Sequence, residues 1–152
     1  MTIAQRLEEL GIELPPVFPP AGNYLGCVVD NGLVYVGGHG PIVGADVVRG
    51  KVGKTLTLEQ ARHAARMTGL SILATLNAEL GSLDRIERCI KVFGMVNVGP
   101  GFNQTPAVID GCSDLLVDVF GDAGRHTRSA VGLAELPFDI AVEIELIARI
   151  RA

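Results

Sequence analysis

The C-terminal stretch from residue 126 to residue 152 alternates apolar and polar side chains along two arms, with Pro137 and Phe138 between them. Strand side chains point in turn to opposite faces of a sheet, so this period of two predicts two strands. We expect them to form a β-hairpin that turns at Pro137 and Phe138. In that register Gly132 lies across from Glu143.

A single arginine stands out on this predicted hairpin. The apolar face of the second arm, opposite Glu143 and Glu145, is made of Val142, Ile144, Leu146 and Ala148. In the first arm we assign Val131 and Leu133 to the core. The other face then holds Arg128 among small residues. Because a solvated face usually carries Lys, Thr, Ser and Glu throughout, a guanidinium among small side chains indicates either a pocket or a subunit contact.

The composition favours one domain that associates with copies of itself. A chain of 152 residues is long enough to bury a core without disulfide staples. Hydrophobic residues make up 48% of it and charged residues 20%, which leaves apolar area for subunit contacts. The formal net charge is −4, and there is no basic stripe of the kind that binds nucleic acid. We therefore expect a homo-oligomer without a nucleic-acid partner.

The N-terminus has no export or membrane signal. It is an acidic amphipathic segment without the positive flank and long apolar core of a signal peptide. No uninterrupted apolar run is as long as the about 18 residues that suggest a membrane-spanning helix. We expect a cytoplasmic protein that has no membrane partner.

The cysteines and histidines give no metal or redox signature. Three cysteines, isolated and set among apolar neighbours, are predicted to be reduced core residues: Cys27, Cys89 and Cys112. Three histidines have no ligand-like spacing with one another or with cysteine: His39, His63 and His126. We expect no metal site.

The first third of the chain predicts a helix, an extended segment and a hairpin. Thr2 opens a short helix over residues 2–10, and four prolines make residues 13–20 an extended surface segment. Asn31 and Gly32 join two apolar runs and predict a two-residue hairpin turn. In that register Asp30 pairs with Leu33, and Tyr24 lies across from His39. The glycines around His39 indicate either backbone open to a ligand or a simple bulge.

The remaining elements alternate between strands and helices. We predict a third strand over residues 42–49, a strand over 89–97 and a short helical start at Ser82. A capping box from Thr57 to Gln60 opens a helix that ends near Leu80, on which His63 faces solvent. A second long helix over 106–120 has Thr105 as its cap.

Together these elements predict an α/β (α+β) sandwich, with two long helices on one face of a six-stranded mixed sheet. Helices cover only one side of such a sheet, and the other face carries Gly, Ala and apolar residues. A closed homo-oligomer that buries this second face is the expected solution.

The stretch from Arg128 to Ala148, RSAVGLAELPFDIAVEIELIA, resembles the C-terminal signature of the RidA/YjgF family of small imine deaminases. Further matches are GNY before the first strand, YVGGHGP after the second, TLEQAR at the helix start and KVF before the loop. The resemblance covers about residues 22–150. It implies a single domain over residues 22–152, preceded by an N-terminal helix and Pro-rich lead-in over residues 1–21.

This resemblance implies a chorismate-mutase-like fold of the bacillar type, assembled as a homotrimer with ligand clefts between subunits. The activity implied is cofactor-free hydrolysis of 2-imino or 2-enamino acids, of the 2-iminobutanoate and 2-iminopropanoate type, to 2-keto acids and ammonia. Arg128 would bind the substrate carboxylate and Glu143 would position or activate water. Tyr24 and Gly38 match residues beside the cleft, and His39 stands where the family usually has glutamine.

The chain departs from the family pattern at several cleft positions, because Gly37, Ala130 and Pro106 replace residues that are usually polar. An alternative function is therefore open: a trimer of the same fold that binds a small carboxylate without turnover. Ribonuclease activity is also attached to the family, but the acidic balance of this chain disfavours it.

Overall fold

In the computed structural model, which describes residues 1–152, a mixed sheet of five strands carries two long helices on one face. The elements in chain order are α1 (Ile3–Glu9), β1 (Cys27–Asp30), β2 (Leu33–His39), β3 (Ile42–Val43), β4 (Asp46–Val47), α2 (Leu58–Leu80), β5 (Ile86–Asn97), α3 (Thr105–Phe120), β6 (Thr127–Leu133) and β7 (Val142–Ile150). The strand order in the sheet is β1-β2-β7-β5-β6. No helix combines the length and apolarity needed to cross a bilayer.

The features set by short sequence signals are confirmed. Asn31 and Gly32 both have positive φ angles and join β1 to β2, with Asp30 opposite Leu33. Capping boxes open α1 at Thr2 and α2 at Thr57, and Ser82 caps a 3₁₀ turn over Leu83–Arg85. At α3 the prediction is wrong by one residue. Gln104 is the N-cap there, without a side-chain cap hydrogen bond, and the Thr105 hydroxyl donates to Ala130 O of β6 (2.9 Å).

The core lies between the sheet and the helix pair α2 and α3. Its largest fully buried side chains are Ile72, Leu73 and Leu76 of α2, Ile109, Leu115 and Leu116 of α3, and Val34, Val92, Val96, Ile144 and Leu146 of the sheet. The short helix α1 adds Leu7 to the same core. The division of the chain into a lead-in and a domain at residue 21 stays a prediction. His63 is exposed, as its place on α2 predicts.

The prediction of a sixth strand over residues 42–49 is wrong. This segment reverses at Gly44, whose φ of 61° suits a residue without a side chain. It therefore folds back on itself as a separate two-stranded ribbon of β3 and β4. The main sheet has five strands as a result.

The predicted C-terminal hairpin is also wrong, because β5 lies between its two arms. The chain enters β6 through the helix α3, and such a crossover places β6 parallel to β5. β7 then pairs with the other edge of β5 in the antiparallel sense. Gly132 and Glu143 consequently face Val96 and Met95 of β5 rather than each other.

This strand order reverses the assignment of faces in the first arm. Arg128 lies beside the buried Val92 of β5 and points toward the helices, whereas Val131 on the opposite face is 39% exposed. The pattern of β7 is as predicted: Ile144 faces the core, and Glu143 faces away from the helices. Arg128 and Glu143 of one chain therefore lie on opposite faces of the sheet.

The segment between β6 and β7 crosses the end of β5 and is held there by Asn97. The fully buried Asn97 amide donates to Asp139 Oδ1 (2.9 Å) and to Ile140 O (3.2 Å). Its Oδ1 accepts from Lys51 Nζ (2.8 Å), and the same ammonium contacts Ala134 O. One side chain thus fixes the crossing segment that leads into Glu143.

We expect Asn97→Ala to lower the free energy of unfolding by about 2–4 kcal/mol, because it leaves buried hydrogen-bonding groups without partners. Equilibrium urea unfolding followed by circular dichroism measures the change. Asn77→Ala is the matched control, since Asn77 is exposed on α2, and its effect should stay within about 0.5 kcal/mol. Equal stabilities for the two variants would contradict the anchoring role of Asn97.

Candidate functional site

A cavity of about 160 Å³ lies where the Pro-rich segment, the end of β2 and the turn before β7 meet. Four of the five residues predicted for the site line it: Tyr24, Gly38, His39 and Glu143. Arg128 is not among the lining residues. The structure therefore brings together every predicted site residue except the arginine.

The Glu143 carboxylate is the one charged group that lines this cavity. It is half-buried, and no hydrogen bond or ion pair within the chain engages it. Burial raises the pKa of Glu143 from its ordinary value, and the neighbouring carboxylate of Glu145 raises it further. A carboxylate whose pKa is raised in this way is a stronger proton acceptor than that of an exposed glutamate.

Gly38 makes room for this carboxylate. A Cβ atom at position 38 would lie 2.7 Å from Glu143 Oε2 and 2.9 Å from its Cδ. The position falls in an irregularity of the β2–β7 pairing, between the pairs of Val36 and His39. The sequence left two alternatives for these glycines, backbone open to a ligand or a simple bulge. The structure shows a bulge that also lines the cavity, so it combines the two.

His39 holds the bulge in place. Its Nδ1 lies 2.8 Å from Gly37 O, and because a carbonyl only accepts, Nδ1 carries the proton. Nε2 then accepts from the Thr75 hydroxyl of α2 at 2.9 Å. Burial lowers the pKa of His39, which keeps the ring neutral. Both ring nitrogens are therefore engaged within the chain.

Tyr24 lies at the rim of the cavity. The β1–β2 pairing ends with the hydrogen bond from Gly37 N to Gly26 O, so the expected pairing of Tyr24 with His39 does not form. The chain turns instead before β1, where Tyr24 N donates to Gly22 O. The phenol oxygen accepts from Ala21 N (3.1 Å), which ties the ring to the end of the Pro-rich segment.

Arg128 forms a separate cluster between β6 and α3. Its Nη1 donates to Asp110 Oδ1 (2.8 Å) and to Ser113 Oγ (3.1 Å). His126 Nδ1 contacts Gly124 O, so its Nε2 accepts from the Ser113 hydroxyl (2.9 Å). Burial, and secondarily the Arg128 charge, lowers the pKa of His126. A chain of hydrogen bonds thus fixes one end of the guanidinium.

The other edge of the Arg128 guanidinium is free within the chain. Nε and Nη2 make no hydrogen bond in the subunit, and neither atom is sealed from solvent. The side chain as a whole is 23% exposed. This edge presents the paired donors that match a carboxylate.

Several residues of the two regions have no clear signal in the sequence. Asp110 and Ser113 lie three residues apart and so share a helix face, but only the contact with β6 reveals their partner. Thr75 contacts the bulge, and Ser71 of the same helix lines the cavity. Phe18 and Phe138 line it as well, from two segments far apart in the chain.

The cysteines take no part in either region. All three are free and buried, as predicted. Burial raises the pKa of Cys89 to about 12 and that of Cys112 to about 12, so neither thiol is a nucleophile at neutral pH.

Comparisons with known proteins agree with this architecture. Residues 4–150 match the family model described as YjgF/chorismate mutase-like, putative endoribonuclease. Among curated proteins, the chain is 39% identical over 151 residues to Protein TCP17 of Trypanosoma cruzi, covering 97% of this chain and 94% of that protein.

Two solved structures resemble the chain over nearly its whole length. The protein Atu1372 of Agrobacterium tumefaciens, whose function is unknown, is 40% identical with a TM-score of 0.91, over 98% of this chain and 92% of that one. A putative endoribonuclease from Shewanella oneidensis is 30% identical with a TM-score of 0.95, over 99% and 100%. The chain therefore belongs to the YjgF/chorismate-mutase-like family and has its fold, as the resemblance in the sequence predicted.

Proposed function

We propose that this protein hydrolyses reactive 2-imino acids, and their 2-enamino tautomers, to 2-keto acids and ammonia. The observation that supports this most is the Glu143 carboxylate, which lies half-buried in the cavity without a partner and against Gly38. A carboxylate in this setting is free to act on water or on a bound molecule, since no group in the chain neutralises it.

The proposed reaction needs one proton acceptor and one proton donor. Glu143 accepts a proton from water as the water oxygen bonds to C2 of the imine. The electron pair of the C=N bond moves to nitrogen, which takes up the proton from the Glu143 carboxyl group. In the resulting carbinolamine, Glu143 accepts the hydroxyl proton and passes it to the amine nitrogen, so the C=O bond forms as the C–N bond breaks, and ammonia and the keto acid leave. A raised pKa suits a residue that accepts and returns a proton in one cycle.

The substrate carboxylate needs a cation that the cavity of one chain lacks. No lysine or arginine lines the cavity, and His39 is held neutral. We propose that Arg128 of a neighbouring subunit supplies the missing charge through its free Nε and Nη2 edge. Arg128 and Glu143 of one chain cannot meet, because they face opposite sides of the sheet.

The exposed face of the sheet supports the assembly of copies that this arrangement requires, which we propose to be a homotrimer. It carries Val28, Tyr35 and Val131, which are 49%, 43% and 39% exposed. Large apolar side chains grouped on a strand face are typical of surfaces that another subunit covers. A closed ring of three copies would bury this face and form three equivalent clefts.

RNA cleavage, which the family description names, has weaker support in this chain. The cavity has no lysine or arginine to hold phosphates, and the chain has a net charge of −4. A second candidate function is the binding of a small carboxylate in the same cleft without turnover. The activity and binding measurements distinguish this function from imine hydrolysis.

We expect Glu143→Gln to lower kcat/KM for imine hydrolysis by about 10²–10⁴-fold, since the amide cannot accept the proton of water. Imines generated in the assay by an amino-acid oxidase serve as substrates, and release of the keto acid above the spontaneous rate is measured. Glu87→Gln is the control, because Glu87 is exposed near the start of β5 and lies outside the cavity. It should stay within about threefold of the wild type.

Loss of equal size in both variants would contradict the role of Glu143. Saturable binding of a keto acid with no acceleration of hydrolysis would indicate that the protein binds small carboxylates and is not a deaminase. Cleavage of RNA by the purified wild type that Glu143→Gln abolishes would favour the endoribonuclease instead.

We expect Arg128→Ala to weaken substrate binding and to lower kcat/KM by at least about 10²-fold, because it removes a paired charge-assisted contact. Arg125→Ala, which changes an exposed arginine three residues earlier, is the control. Mixed trimers reassembled from equal amounts of Arg128→Ala and Glu143→Gln should regain about one quarter of the wild-type activity, because random closed rings contain some intact clefts. Absence of any recovery would contradict a cleft shared between subunits.

The carboxyl group of Glu143 should titrate above 4.5, its ordinary value, because burial and Glu145 both disfavour its charged form. Carbon-13 NMR of the protein labelled at the glutamate side chains measures this pKa, with Glu143→Gln identifying the resonance. In Glu145→Gln the pKa of Glu143 should fall, since one repelling charge is removed, but stay above 4.5 because burial remains. A pKa at or below 4.5 in the wild type contradicts the prediction.

A further inference from the structure

The rim of the cavity is unusually rich in exposed aromatic side chains. The chain has five phenylalanines, two tyrosines and no tryptophan, and three of these seven aromatic residues line the cavity. Phe18 is 46% exposed, Tyr24 59% and Phe138 75%. They come from three separate segments: the Pro-rich segment, the turn before β1 and the turn before β7. Their rings remain in water in the subunit, where each exposes apolar surface that a ligand would cover.

Phe138 is held in this exposed position by a strained turn. Phe138 and Asp139 both have positive φ angles, 58° and 57°, which non-glycine residues seldom adopt. Asn97 bonds the Asp139 carboxylate (2.9 Å), and Arg49 Nε donates to Phe138 O (3.2 Å). Surrounding hydrogen bonds therefore enforce a conformation that costs free energy, as happens at ligand-binding segments.

The interior of the cavity continues this apolar character. Pro20, Ile42 and Ile140 also line it. A volume of about 160 Å³ matches the engineered cavity of about 150 Å³ that accommodates benzene in another protein. The space is thus large enough for an aromatic ring and larger than a methyl or ethyl group requires.

We infer that the side chain of the 2-imino acid is aromatic, and that Phe18, Tyr24 and Phe138 contact its ring. This inference rests on the proposed function and narrows its substrate class. Aromatic rings attract one another in edge-to-face and offset arrangements beyond the burial of area alone, which favours a ring over an aliphatic chain. The short-chain 2-iminobutanoate and 2-iminopropanoate type implied by the family resemblance would leave this rim unused.

The test compares imines derived from phenylalanine and from alanine, each made in the assay by an amino-acid oxidase. The wild type should show a kcat/KM at least about tenfold higher for the phenylalanine-derived imine. Phe18→Ala and Phe138→Ala should each lower that preference by about tenfold, with less than threefold change for the alanine-derived imine. Val17→Ala is the matched control, because Val17 is also 46% exposed and adjacent to Phe18 but does not line the cavity.

Equal kcat/KM values for the two imines in the wild type would overturn this inference while leaving the proposed hydrolysis intact. So would an equal loss on both substrates in Phe138→Ala, or a change of oligomeric mass in that variant by analytical ultracentrifugation. The latter would assign Phe138 to a subunit contact.

Calorimetric binding of phenylpyruvate and of pyruvate to the intact assembly separates the two proposals. If no imine is hydrolysed but phenylpyruvate binds at least about tenfold more tightly than pyruvate, and Phe138→Ala abolishes that difference, recognition of the ring stands and hydrolysis fails. If the two keto acids bind equally well, or if neither binds and no imine is hydrolysed, the inference is overturned.

Discussion

The position of β5 between β6 and β7 determines on which face of the sheet each candidate site residue of one subunit lies. Because β5 pairs with both, the segment that joins β6 to β7 crosses its end and is anchored by the buried amide of Asn97. The same order directs Arg128 toward the helices and Glu143 away from them. The carboxylate and the guanidinium that the family resemblance assigns to one cleft are thus separated by the sheet itself, so a shared cleft requires a second subunit.

The parts of the fold that local chemistry controls could be predicted from the sequence. The capping boxes at Thr2 and Thr57 and the Asn31–Gly32 turn depend on residues within a few positions of one another. The strand β7 could also be assigned, since only one of its faces is apolar. The order of strands could not be predicted in this way. Two neighbouring segments with alternating apolar and polar residues are compatible with a hairpin, and equally with two strands that have a third strand between them.

The error in the face of β6 has a similar cause. Val131 suggests a core face, but it belongs to the side of the sheet away from the helices, where its side chain is exposed in the single chain. Ala130, which packs on the core, is too small to signal its burial. The cavity was accessible to prediction only through the family resemblance, since Tyr24, Gly38 and Glu143 are remote in sequence. His39 matched a cleft position, yet its hydrogen bonds to Gly37 and Thr75 give it a structural task that no motif describes.

Separation of the two charges has a chemical consequence for the proposed reaction. If Arg128 entered the same cavity in an isolated subunit, the two groups would pair, and the lowered pKa of Glu143 would make it a weaker proton acceptor. Asp110 and Ser113 instead hold Arg128 on the helix side, and Glu143 stays unpaired with a raised pKa. In the proposed cleft between subunits, the substrate would bring its own carboxylate to the free edge of the guanidinium. The arginine charge would then be matched by the substrate, which would leave Glu143 available for water.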